Sequence, residues 1–298
     1  MQHNYFNPKF IIQILLFGVI ITAVLNVQTI LDRYALATFR PDPEIAAIVD
    51  RLKLTSKAMA ILARSEPVID DKVLFNRDCQ TSKGELELGC YVNGHIFVLK
   101  IENADLAPEM DVVLAHELLH AAYDRLGSSG KAAVNLGLEA AFAKNSDPDL
   151  GQRMKEYETS EPGQKNNELH SIFGTEYGSL DTSLESHYLN YFEDRKVIVA
   201  AQKQYQNVFV ARRRSLDVDL AGIRVLKSQL TVLNRRMESL KNSESIAAYN
   251  SLVPQQNQLV DNINTRIKIY QQGVDEYNAL SKSLDSQQIT GPAESTVQ

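Results

Sequence analysis

The chain has 298 residues, 44% of them apolar and 23% charged, with a net charge of −6. That is the composition of a protein with a packed core, arranged as one sizeable domain plus an appendage or as two modest domains. It has no long basic run, which argues against nucleic acid as a partner. The single basic cluster, Arg212-Arg213-Arg214, lies in a helical stretch and reads as a solvated face or helix end rather than a phosphate or lipid site. Cys79 and Cys90 stand eleven apart with no CxxC, which leaves out a zinc ribbon. A disulfide closing a small loop is expected if the domain sits outside the cytoplasm, with two unpaired core thiols as the alternative.

Residues 1–9 form a short tail. Residues 10–30 read FIIQILLFGVIITAVLNVQTI, without a charge, and a helix of that length spans roughly 30 Å of hydrocarbon. This predicts an uncleaved transmembrane anchor. The rival is a cleaved signal peptide, but Asn26, Val27 and Gln28 follow the apolar core where a small-x-small site belongs, and Ala35-Leu36-Ala37 comes late. Lys9 precedes the span while Arg33 and Arg40 follow it, so charge barely decides orientation. The expected disulfide favours a single-pass protein of the cell membrane with its bulk extracytoplasmic.

Beyond the span, residues 38–195 are expected to form one domain. Asp42 is a candidate N-cap with Pro43 at the first helical position, opening a helical pattern over 44–64 that breaks near Thr55-Ser56. Asn93-Gly94 between Cys90–Val92 and His95–Ile101 signals a β-hairpin, and His95 reads as an ordinary strand-end residue. Pro108 opens a helix running to about Leu126, with Gly127 as its stop. Helical segments follow over 131–144 and 149–159, a loop over 161–166, a further helical piece from Asn167, a turn at Gly174 and Gly178, and a helix from Leu184 to about Tyr191. From residue 196 to 285 apolar residues recur at spacings of three and four. Leu216, Ile223 and Leu230 belong to one run, and Ile263, Ile267 and Tyr270 to a second. This is the seam of an antiparallel coiled-coil hairpin, with Pro254 expected to start a fresh helix. Such an arm is a spacer or a surface for self-association or a protein partner. Residues 286–298 are expected to be disordered.

The chemistry lies in His116-Glu117-Leu118-Leu119-His120. Two histidines four apart on a helix share a face and can bind one tetrahedral zinc ion, while the intervening Glu117 can take a proton from a water and return it to a leaving amine. With six histidines in the chain, chance yields the bare pattern in about one chain per hundred. Apolar flanks from Val112 to Ala122 raise its specificity, since a metal works in a dry cavity. The alternative is an amphipathic helix with these three side chains in solvent. A catalytic zinc needs a third protein ligand, and the downstream candidates are Glu168, His170, Glu176 and His187.

With this motif the chain resembles the HExxH zinc metallopeptidases of the zincin clan, of a membrane-anchored bacterial type. The likeness covers roughly residues 90–195 and is nearest to the gluzincin branch. Asn167-Glu168-Leu169-His170-Ser171 is similar to the Asn-Glu-x-x-Ser start of the third-ligand helix in thermolysin-like enzymes, although Ile172 stands where an Asp follows there. The metzincin variant is left out because residue 126 is Leu. The resemblance implies one zinc per chain held by His116, His120 and Glu168, with Glu117 as general base and acid. His170 on a helix points about 200° away from Glu168. His170, Glu176, His187 and Tyr188 then become supporting residues, His187 or Tyr188 being suited to steady an oxyanion. It further implies that the strand His95–Ile101 pairs with an extended peptide or protein substrate.

The expected architecture is α+β and predominantly helical: a zincin-like domain with a small β-hairpin, an N-terminal transmembrane helix and a C-terminal antiparallel coiled-coil hairpin. The expected activity is peptide-bond hydrolysis by a zinc-activated water. Two competing readings are an inactive membrane-tethered coiled-coil scaffold and a zinc hydrolase of a non-peptide cell-envelope bond.

Overall fold

A computed structural model describes residues 17, 26–79, 88–242 and 245–284. The packing divides them into two units, one within residues 1–100 and 108–202, the other within 101–107 and 203–298. Helix dominates both. The first unit opens with α1 (Val27–Thr38), α2 (Pro43–Leu52) and α3 (Ser56–Arg64). Asp42 caps α2 by accepting from the Glu44 and Ile45 amides, with Pro43 in the first turn as expected. The break before α3 comes at Lys53, in the left-handed region at φ 50°, and Thr55 caps the next helix. An isolated antiparallel bridge between Leu54 and Phe192 holds this break in place.

Among the described residues no helix is long and apolar enough to cross a membrane. The expected transmembrane helix, the membrane partner and the single-pass location in the cell membrane are therefore not carried forward. Helix α1 takes up residues 27–30 of the expected span but has only twelve residues, about 18 Å of rise, and includes Asp32 and Arg33. Residues 10–16 and 18–25 of that span lie outside the described residues, as do 286–298, expected to be disordered.

Strands β1 (Val68–Asp70), β2 (Gly89–Val92) and β3 (His95–Leu99) form a sheet in the order β1-β3-β2, with α4 (Lys72–Asp78) between the first two in sequence. The hairpin forms as its sequence predicts: Cys90 pairs with Phe97 and Val92 with His95, and Asn93 and Gly94 both take positive φ, as a two-residue turn requires. The parallel strand β1 is too short for any period to show in sequence. It pairs with β3 through Val68–Phe97 and Asp70–Leu99. The expected peptide-pairing strand β3 is thus flanked on both sides, and among the described residues β1 and β2 form the two edges. The Cys79–Cys90 disulfide is present and ties the end of α4 to β2, with Cα atoms 6.0 Å apart.

Helix α5 (Glu109–Asp124) is the axis of this unit. Every residue from Glu109 to Tyr123 is buried except the half-buried His116, the pattern of a helix packed on all sides. Arg51 of α2 clamps its first turn through a bidentate pair with Asp111 at 2.6 and 2.7 Å. Gly127, expected to stop α5, instead precedes α6 (Ser128–Lys144) as its N-cap. Then come α7 (Pro148–Ser160), α8 (Lys165–Thr175) and α9 (Thr182–Tyr188). Gly174 lies inside α8 rather than in a turn, because α8 crosses α5 closely there. A Cβ at Gly174 would meet the Leu119 side chain and, at 2.9 Å, the Tyr188 ring.

The second unit is built from α10 (Lys196–Asn242), whose first residues to Gln202 group with the first unit, and α11 (Ile246–Ser283). Leu216, Ile223 and Leu230 of α10 pack with Ile263, Ile267, Tyr270 and Tyr277 of α11 in one core. Pro254 does not restart the helix but lies inside α11. Pro254 and Asn250, whose carbonyl loses an amide partner, are both exposed, so water can replace that bond.

Candidate metal centre

Helix α5 presents His116 and His120 one turn apart, and α8 lays Glu168 across them. His116 Nε2 stands 3.9 Å from one Glu168 oxygen and His120 Nε2 3.5 Å from the other. The three donor atoms lie within 4.8 Å of one another. Ligands held about 2.1 Å from one tetrahedral ion stand roughly 3.4 Å apart, so a small closure of this triad would fit zinc. Two imidazoles and a carboxylate also match its preferred donors. Glu168 is buried beside the pair at 6% exposure, where an anion needs a cationic partner.

Asn167 orients the second histidine, its Oδ1 lying 3.1 Å from His120 Nδ1. A proton on Nδ1 donated to this oxygen leaves the Nε2 lone pair facing Glu168. Burial, together with the neighbouring His120, Arg153 and His170, holds the His116 imidazole well below its ordinary pKa and keeps it neutral. Burial pushes His120 the same way, but Glu168, Glu117 and the Asn167 bond outweigh it and raise its pKa.

A cavity of about 390 Å³ opens onto this triad, and Glu117 lines it beside the two histidines. Strand β2 covers the glutamate closely: a Cβ on Gly89 would lie 2.9 Å from Glu117 Oε1 and would strike Val113. Only glycine lets the strand backbone approach so near. Asn167, Gly89 and Tyr157 also line the cavity and were not singled out from sequence. In the sequence Asn167 marks only the start of a motif, while Gly89 and Tyr157 belong to no pattern.

The remaining candidates lie apart from the triad. Glu176 is taken by Arg153 in a bidentate pair at 2.9 Å for each bond. His170 is fully buried, with Nε2 2.8 Å from Nε2 of His187, and its ring packs among Tyr123, Tyr188 and Tyr191. Burial and the nearby Lys57 push the His187 pKa down to about 4, so this pair is neutral at pH 7. Tyr188 donates its hydroxyl to the His170 carbonyl at 2.7 Å, and burial raises its pKa. These contacts make the His170–His187–Tyr188 group a brace between α8 and α9. Comparison of the chain with protein-family models, with curated proteins and with solved structures finds no match.

Proposed function

We propose that the chain is a zinc-dependent peptidase with a zincin-like site, in which His116, His120 and Glu168 hold the metal and Glu117 handles the proton. The carrying observation is the convergence of three donors, from helices far apart in sequence, on a cavity that Glu117 also lines. When bound, zinc would polarise the scissile carbonyl and make a water more acidic. Glu117 would accept a proton from the attacking water on a carboxylate oxygen and deliver it to the leaving nitrogen as the C–N bond breaks. Asn167 fixes the His120 ring throughout. Tyr157 also lines the cavity wall.

Peptides are favoured over other carbonyl substrates because β2 is both a sheet edge and a wall of the cavity. An extended backbone could add beside Gly89–Val92 by main-chain hydrogen bonds. Elemental analysis of the purified, zinc-reconstituted chain tests the reading. About one zinc per chain is expected, lost in His116→Ala and Glu168→Ala. Glu117→Gln should keep the metal while cleavage of a peptide mixture falls on the order of 100-fold or more. A folded wild type that takes up no zinc after reconstitution sinks the enzyme and leaves a helical scaffold.

A further inference from the structure

The cavity over the metal triad has walls of one sign. Among the described residues that line it are four carboxylates, Glu117, Glu168, Asp124 and Glu161, and no lysine or arginine. A bound zinc ion would balance Glu117 and Glu168, which leaves Asp124 and Glu161 as uncompensated negative charge.

That excess gathers on the His120 side of the triad. On α5 the residues His116, His120 and Asp124 follow one another at intervals of four, and all three line the cavity. At about 1.5 Å per residue Asp124, the last residue of the helix, stands about 6 Å along the axis beyond His120. Glu161 directly follows α7, where its amide bonds to the Tyr157 carbonyl at 2.8 Å, and its charge reaches His120. Tyr91 lies two residues after Gly89, on the face of β2 that is turned to α5. It lines the cavity as well, and the charge of Asp124 reaches it. An aromatic ring beside two carboxylates suits an ammonium or a guanidinium. Other cations of this unit are engaged elsewhere, Arg125 with Asp32 at 3.2 Å and Arg153 with Glu176 at 2.9 Å. Lys131 stands 4.0 Å from the exposed Asp124, a loose pair that a ligand can exchange.

We propose that this end of the cavity is a subsite for a positively charged group of the substrate peptide, held by the Asp124 and Glu161 carboxylates against Tyr91. The proposal rests on the reading of the cavity as a peptidase site and names the class of peptide it takes. An extended chain advances about 3.3 Å per residue. A peptide with its scissile carbonyl at the triad therefore sets a residue one or two positions away beside Asp124. The charged group is a lysine or arginine side chain or a free N-terminus, which offer the same chemistry.

The test uses the zinc-loaded full chain and N-acetylated peptides carrying arginine, glutamine or glutamate at successive positions on each side of the cut bond. The glutamine peptide is also supplied with a free N-terminus. At one position arginine should be preferred over glutamine about tenfold in kcat/KM, through KM, and glutamate should be poorest. The preference should shrink several-fold between 50 and 500 mM salt. It is a ratio read within each protein, so a general loss of activity cancels. Asp124→Asn and Glu161→Gln should each lower it about threefold, and Glu161→Lys should turn it towards glutamate. A preference confined to the free N-terminus supports the subsite and identifies the cation as the terminal ammonium. Equal cleavage of all the peptides overturns the subsite and leaves the peptidase reading standing, as does a preference that both neutral variants leave unchanged. A chain that holds zinc and cuts none of the peptides sinks the peptidase reading and the subsite with it.

Discussion

Glu109 shows how a single buried carboxyl sets a pH dependence. Its Oε2 is buried with no hydrogen-bond partner among the described residues. Burial, with a further push from Glu176 against a pull from Arg153, raises its pKa to about 9. Glu109 is therefore a neutral acid in the fold at pH 7, while the unfolded chain ionises it near pH 4.5. Between those values the unfolded state binds fewer protons than the native one, so stability falls as pH rises and the loss levels off above about pH 9. Glu109→Gln removes the titration and keeps the shape. Urea unfolding at pH 5 and pH 8 should show the variant gaining on wild type by on the order of 4 kcal/mol across that interval. Any offset from the amide itself is constant with pH, so the slope is the quantity to read. Parallel slopes would mean that Glu109 is solvated or paired in solution.

At the scale of elements, the site depends on two close approaches: α8 on α5 at Gly174, and β2 on α5 at Gly89. The first positions metal donors, the second only the glutamate. The Cys79–Cys90 bond anchors the second, because Cys90 follows Gly89 directly. A disulfide closing so short a loop contributes about 3 kcal/mol, chiefly through the unfolded chain. Cys79→Ser/Cys90→Ser is accordingly expected to unfold at lower urea and yet to bind zinc as wild type does, since all three donors lie on α5 and α8. Peptide cleavage should fall, because β2 no longer holds Glu117 and the substrate edge in register. Equal losses of zinc and cleavage would show instead that the bond supports the whole unit. Elements with strong local chemistry could be read from sequence: the capped α2, the Asn-Gly hairpin, the coiled-coil pair and the HELLH helix. Strand β1 could not, being three residues long, and the fresh start expected at Pro254 does not occur, because on an exposed face water can take the bond that the proline removes.

For the whole molecule, sequence spacing placed His116, Glu117 and His120 on one helix face but could not rank the third donor from pattern alone. Glu168, His170, Glu176 and His187 all had suitable chemistry. Tertiary packing separates them: α8 on α5 brings Glu168 to the two histidines, while Arg153 of α7 takes Glu176 and His187 of α9 takes His170. The anchor expected over residues 10–30 met the opposite difficulty. Hydropathy is local, and the described part of that stretch continues into α1 with Asp32 and Arg33. The division into two units makes the metal proposal testable without a substrate. A ligand that binds only the native state adds stability as its concentration exceeds Kd, about 2.7 kcal/mol at a hundredfold excess. In a unit of this size that corresponds to a rise of roughly 5–10 °C in melting temperature. All three donors belong to the first unit, so zinc should slow amide exchange across α5 and α8 and leave α11, and α10 beyond residue 203, as they were. His116→Ala should abolish both effects. Zinc that stabilises this variant equally, or protects the helical pair instead, is bound elsewhere, and the triad would then be an ordinary buried ion pair between His120 and Glu168.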